Sequence, residues 1–234
     1  MQGPGSQNAR GFAVDIFRQT ALPLIFTALA FAAEAGTIIV NGDEWALSNP
    51  GFFNAPEDSV ERFVSNLVSE FGPRIHAYST SFAYTQSDLA AAMTRAGAEF
   101  STGMDLRFSL PDLLEFDALM LGSDLPDAGQ LKVLHAYVAA GGSLYISAGT
   151  GAAGSTAEEA ESWNGFLKAY GLELAPSFSG FFGLMPMRGD RIFDGVEALY
   201  IGNPNPVSQG AVCCEAGHVF GIRRAAGARK MPAQ

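Results

Sequence analysis

Three short stretches hold the residues whose types and spacing could do chemistry: Asn41-Gly42-Asp43-Glu44-Trp45, Gly122-Ser123-Asp124 and Ser147-Ala148-Gly149-Thr150-Gly151. Each follows an apolar run, and open α/β sheets gather ligand-contacting loops outside the carboxyl ends of their strands. The candidate ligand-binding residues are therefore Asp43, Glu44, Trp45, Ser123, Asp124, Ser147 and Thr150. Asp43, Glu44 and Asp124 could converge on a hard cation such as calcium, because carboxylate oxygens suit it, although the ligand spacing of known calcium loops is absent. The alternative is that both aspartates cap turns or helix starts while Glu44 is solvated. Ser147 could act as a nucleophile on a sharp strand-to-helix turn, with the following backbone N–H groups as oxyanion donors. That chemistry needs a base, and the histidines lie on other segments, at His76, His135 and His218. The competing reading is a glycine-serine turn that lets backbone approach backbone.

The same turn, continued to Ser155, has the glycines of a phosphate cradle ahead of a helix. It lacks the lysine of a P-loop, and Gly149, Gly151 and Gly154 meet the G-x-G-x-x-G spacing only in part. Trp45, with Phe52, Phe53, Phe82 and Tyr84 nearby in sequence, could form an aromatic platform for a sugar or a protein partner. Trp163 shares a helix face with Phe166 and Leu167 and reads as packing. Phe178, Phe181, Phe182, Leu184, Met185 and Met187 read as a cover over the sheet, or as an interface if exposed.

The elements that must position these loops follow from periodicity. Thr37–Val40, Ile75–Tyr78, Ala118–Leu121 and Leu144–Ile146 are apolar runs of strand length, with shorter strands near Glu99–Ser101 and Leu172–Leu174. Between them, Asp58–Phe71, Asp88–Ala96, Leu110–Leu114, the segment carrying Leu131, Leu134, Tyr137 and Val138, and Thr156–Tyr170 have helical spacing. Asp58 and Ser87 stand at expected N-caps, and a long loop is expected through Asn49-Pro50-Gly51. Strands alternating with helices predict a doubly wound, mainly parallel α/β sheet with helices on both faces. Residues 177–209 predict a loop-rich β extension packed on that sheet.

Composition bounds the rest. The 234 residues, 48% hydrophobic, suffice for one substantial core. Acidic residues outnumber basic ones 24 to 14, so a nucleic-acid partner is disfavoured. Residues 1–35 have the layout of a signal peptide: Arg10 and Arg18, about a dozen apolar residues from Ala21, then Ala30-Phe31-Ala32 and Ala33-Glu34-Ala35 as cleavage patterns. The expectation is a secreted or periplasmic protein with no stable membrane span after cleavage. Cys213 and Cys214 are adjacent, which suits neither a mutual disulfide nor a standard zinc spacing. The domain is expected to span 36–210, followed by a basic tail, 211–234, without regular structure.

The unit FDALMLGSD, a helix, then YVAAGGSLYISAGTG resembles the class I glutamine amidotransferase-like domain, which implies a flavodoxin-like fold. GDEWALSNPGF, that unit and ESWNGFLKAYGLEL resemble secreted bacterial proteins that often end in a PEP-CTERM sorting tail; the similarity covers roughly Thr37 to Asn203. The G-x-C-x-G elbow of active amidotransferases falls on Tyr145-Ile146-Ser147-Ala148-Gly149, so serine replaces the cysteine; their late His-x-Glu pair has only His218 and the preceding Glu215 as counterparts. The C-terminal residues lack the Val-Pro-Glu-Pro pattern of a sorting tail. The resemblance implies an exported, non-catalytic domain with a binding or envelope- and exopolysaccharide-associated role, its partner a glycan or an envelope protein. The alternatives are a hydrolase using Ser147 and a calcium-stabilised structural domain.

Overall fold

Buried apolar runs become the strands of the main sheet in the computed structural model, which describes residues 36–151, 154–210 and 219–224. The elements in chain order are β1 (Ile38–Asn41), α1 (Asn49–Asn54), α2 (Ser59–Phe71), β2 (Arg74–Tyr78), α3 (Phe82–Thr85), α4 (Ser87–Arg95), β3 (Glu99–Thr102), α5 (Leu110–Leu113), β4 (Ala118–Gly122), α6 (Ala128–Ala139), β5 (Ser143–Ser147) and α7 (Thr156–Leu167). Short strands follow: β6 (Leu172–Leu174), β7 (Phe182–Pro186), β8 (Ala198–Gly202), β9 (Val207–Gln209) and β10 (Phe220–Arg223). The expected signal segment, Cys213, Cys214 and His218 lie outside the described residues. Among the described residues no helix is long and apolar enough to cross a membrane.

Six strands form one sheet in the order β10-β1-β5-β4-β2-β3, all parallel except β10, which runs antiparallel to β1. β1, β4 and β5 are buried along their whole length, which requires apolar side chains on both faces and explains why they read as continuous runs. Ile39, Ile75, Met120 and Tyr145 pack on one side against α2 and α4 through Phe63, Leu67, Leu89 and Met93. Ile38, Leu119, Leu144 and Ile146 pack on the other against α6 and α7 through Leu134, Tyr137, Trp163 and Phe166. The expected doubly wound α/β class therefore holds.

The strand order itself departs from the flavodoxin-like expectation. Across the sheet the parallel strands lie as 3-2-4-5-1, and the flavodoxin-like order 2-1-3-4-5 appears only when β1 is counted last. A local apolar pattern marks β1 as a buried strand but does not encode its neighbours, here β5 and β10. Two further differences have local causes. Asn49-Pro50-Gly51, expected as a loop, opens α1, because Ser48 accepts a hydrogen bond from the Gly51 N–H and proline is at home in a first helical turn. Asp58 and Ser87 do not act as side-chain caps; Ser87 already lies inside α4. Asp127, by contrast, closes a reciprocal capping box with Gln130 at the start of α6.

Phe220–Arg223, expected to belong to an irregular tail, is the edge strand β10. What holds it is remote in sequence. The Arg224 guanidinium donates to Glu70 at 2.7 Å and to both Asp190 oxygens at 2.7 Å, while Arg191 donates to the other Glu70 oxygen at 2.6 Å. Burial works against ionised Glu70, but hydrogen bonds from Arg191, Arg224 and Thr37 outweigh it and hold its carboxyl below the usual range. Asp190 is lowered in the same way, burial being outweighed by Arg224 and the Ile192 N–H. Removing Arg224 takes the cation from Asp190 and leaves Glu70 with Arg191 and Thr37, so Arg224→Ala is expected to cost about 2 kcal/mol in urea unfolding. Both acids are depressed in the folded state. Their contribution is therefore complete above about pH 5 and lost as pH falls; the wild type should lose stability on acidification more steeply than Arg224→Ala, as melting curves across that range would reveal.

Candidate functional site

The loops after β1, β2, β4 and β5 meet at the carboxyl end of the sheet. The chain leaves β2 towards one face and β4 towards the other, so the switch of direction falls between these neighbours. The Asp124 carboxylate bridges this switch, accepting from the Thr80 N–H at 2.6 Å and the Thr80 hydroxyl at 2.8 Å. Ser123, beside it, has φ 63°, a left-handed conformation that a non-glycine residue adopts at a cost. That turn leaves Ser123 Oγ 3.3 Å from Glu44 Oε2, which also accepts from Ser81 Oγ at 2.9 Å. Glu44 thus ties the loop after β1 to those after β2 and β4. Its carboxyl is raised, chiefly by burial, with the two serine hydroxyls opposing the shift and the charge of Glu159 adding to it.

Asp43 faces away from this group. Its Oδ1 accepts from the Trp45 N–H at 3.1 Å and its Oδ2 from the Gly202 N–H at 3.0 Å, which fastens the turn to the end of β8. Asp43, Glu44 and Asp124 therefore engage three separate sets of protein donors. None of the ion pairs among the described residues involves them or Glu159; the basic partners go to Glu61, Glu70, Asp112, Asp117, Glu173 and Asp190.

The turn after β5 is already filled. Ser147 is 1% exposed, and its Oγ accepts from the Tyr84 hydroxyl at 2.6 Å. Burial pushes the Tyr84 phenol far up, so it stays protonated and acts as a donor rather than a base. His76 bonds Ser101 and the Gly103 carbonyl, His135 bonds Tyr170, and among the described residues neither a histidine nor a carboxylate hydrogen-bonds Ser147 Oγ. The N–H groups that made the next residues a candidate phosphate cradle hold an internal side chain: fully buried Glu159 accepts from the Thr150 N–H and hydroxyl at 3.2 and 2.9 Å and from the Gly151 N–H at 2.8 Å.

Beside Glu44 the wall is aromatic. Trp45 meets Phe82 edge to face at 5.3 Å between centroids and Tyr200 at 6.4 Å. Gly202 lies under the indole, which a Cβ at that position would approach to 2.5 Å. Of the predicted site residues, Glu44, Trp45 and Ser123 come together, Asp124 and Asp43 brace them, and Ser147 and Thr150 are engaged from within. The sequence reading missed Ser81, Thr80, Glu159 and Tyr200. Ser79-Thr80-Ser81 follows a parallel strand and qualified by the loop rule already applied to the others, while Glu159 betrays itself as an acid one turn before Trp163 on the packed face of α7.

The environment of Asp43 generates a direct measurement. Burial raises its carboxyl to about 6 against the opposing hydrogen bonds from Gly202 and Trp45. The side-chain carboxyl carbon of Asp43 should titrate by NMR with a midpoint near 6, whereas a midpoint in the ordinary aspartate range would mean that the turn admits water. Compared with known proteins, the chain matches no family model, no curated protein and no solved structure.

Proposed function

We propose that this chain is a binding domain that takes a hydroxyl-rich ligand, a glycan, in the crevice formed by Glu44, Ser81, Ser123 and the Trp45–Phe82 pair. The observation that carries the reading is the half-buried Glu44 carboxylate held by the Ser81 and Ser123 hydroxyls, with Trp45 next to Glu44 and Phe82 next to Ser81 in the chain and their two rings packed edge to face. Sugars present both a weakly apolar ring face and a fan of hydroxyls, and this arrangement answers both with stacking area and hydrogen-bond partners. The signal-like first 35 residues support an exported setting, and the amidotransferase-like resemblance supports an envelope- or exopolysaccharide-associated role. A hydrolase built on Ser147 finds less support, because that hydroxyl is buried and receives a proton donor in place of a base.

The test is calorimetric titration with soluble neutral glycans. A charge-assisted hydrogen bond is worth about 1.5–3 kcal/mol, so Glu44→Ala should weaken binding by roughly tenfold or more. Ser147→Ala, which leaves the crevice intact, should bind within about twofold of the wild type, a shift well under one tenfold step. Absence of binding across the panel, or ester hydrolysis that disappears in Ser147→Ala, would overturn the reading.

A further inference from the structure

The aromatic wall does not stop at Trp45. β8 pairs with β7 in antiparallel register, with Phe182 opposite Gly202, Leu184 opposite Tyr200 and Pro186 opposite Ala198. Directly opposed residues in such a pair share a face of the sheet. The indole of Trp45 lies over Gly202 and touches Tyr200, so Phe182, Leu184, Tyr200 and Trp45 belong to one face, and Phe82 extends it to Glu44. The opposite face of the hairpin, with Met185, Leu199 and Ile201, belongs to the core. The outer face is open: Phe182 is 64% exposed and Leu184 48%. Phe182 and Leu184, exposed side by side on the face that carries Tyr200 and Trp45, form an apolar patch of the kind that can mark an interaction site.

We propose that this row is a second part of the same site, over which a linear, uncharged glycan runs while one of its units occupies the crevice at Glu44. The inference rests on the binding reading above and names the form of the ligand as a chain rather than a single sugar. Successive same-face residues of a strand lie about 6.7 Å apart, so Phe182 offers a ring face and Leu184 further apolar area along the same line, which suits an extended ligand. Charge selects among polymers. The protein carries a net charge of −10, and Glu44 and Asp124 stand at the crevice without a cationic partner among the described residues, so a polyuronate would be repelled. The segment from Ala175 to Met187 contains no charged residue, which fits it to an uncharged chain.

The experiment titrates the full chain with oligomers of glucose and of N-acetylglucosamine of one, three and six units, with a polyuronate as the charged control. At least one neutral series should gain about tenfold in affinity from one unit to six, one such step being about 1.4 kcal/mol. Phe182→Ser/Leu184→Ser changes only exposed side chains; it should abolish that gain while keeping single-unit binding within about twofold, well inside one tenfold step. Equal affinity for one and six units, or a gain that survives in the double variant, would overturn the extended site and leave the crevice reading standing. Failure of every neutral oligomer to bind would remove both. Light scattering on the same samples supplies the rival occupant: a wild-type dimer that becomes a monomer in the double variant would assign the row to self-association and overturn the proposal. So would binding of the polyuronate as tightly as the neutral hexamers.

Discussion

Three stretches of backbone meet at Gly42, Gly149 and Asn205 with no room between them for a side chain. A Cβ at Gly42 would lie 1.8 Å from the Asn205 carbonyl oxygen, and one at Gly149 would lie 2.2 Å from the Gly42 carbonyl oxygen. Gly149 adds a second demand, because its φ of 74° is one that L side chains rarely adopt. The contact is fixed by the Asn205 N–H donating to the Gly42 carbonyl at 2.8 Å. It sets the turn after β1 against the turn after β5 and against the approach to β9. Everything that follows Gly42, from the Asp43 anchor to the Glu44 carboxylate and the Trp45 indole, takes its position from it.

Electrostatics at this end of the molecule run opposite to those at the edge strand. Glu70 and Asp190 lie in a basic grip that favours their charged forms, whereas Asp43 and Glu44 are raised because burial removes water without supplying a cation. The two arrangements answer different needs. At β10 a cluster of ion pairs fastens a short edge strand to elements remote in sequence, and it is weakened if one partner is removed. At the candidate site, hydroxyls and N–H groups serve Asp43 and Glu44 where arginines serve Glu70 and Asp190.

The layered architecture could be read from the sequence because burial on both faces of a parallel sheet imposes continuous apolar runs, and the helices between them carry a 3.6-residue period. Strand order could not be read that way, since β1 pairs with β5 across more than a hundred residues and no local signal names that neighbour. β10 escaped for the same reason: its anchors, Glu70 and Asp190, are 154 and 34 residues away from Arg224. At the candidate site, topology nominated the loops after β1, β4 and β5, which lie together at the carboxyl end of the sheet, and composition nominated Glu44 and Ser123, whose side chains meet there. What composition could not tell is which polar groups the protein satisfies for itself. Ser147 and Thr150 look available in a string of small residues, yet Tyr84 reaches the first and Glu159 the second from distant elements.

That distinction also separates the two chemistries such a turn can serve. A nucleophile elbow needs an exposed hydroxyl, a base within reach and N–H donors left open for a developing oxyanion. Here a phenol with a raised pKa fills the hydroxyl's acceptor site, and a buried carboxylate fills the donors that follow. Both contacts occupy groups that a nucleophile elbow would need free, which makes the turn a poor host for a transition state. The Glu44 carboxylate, by contrast, sits at a half-buried position between a strained serine turn and an aromatic wall, with its Oε2 engaged by hydroxyls. Groups of that kind suit recognition of a ligand through hydrogen bonding and stacking without changing its bonds, so the filled turn at Ser147 and the hydroxyl-held carboxylate at Glu44 support the same proposal.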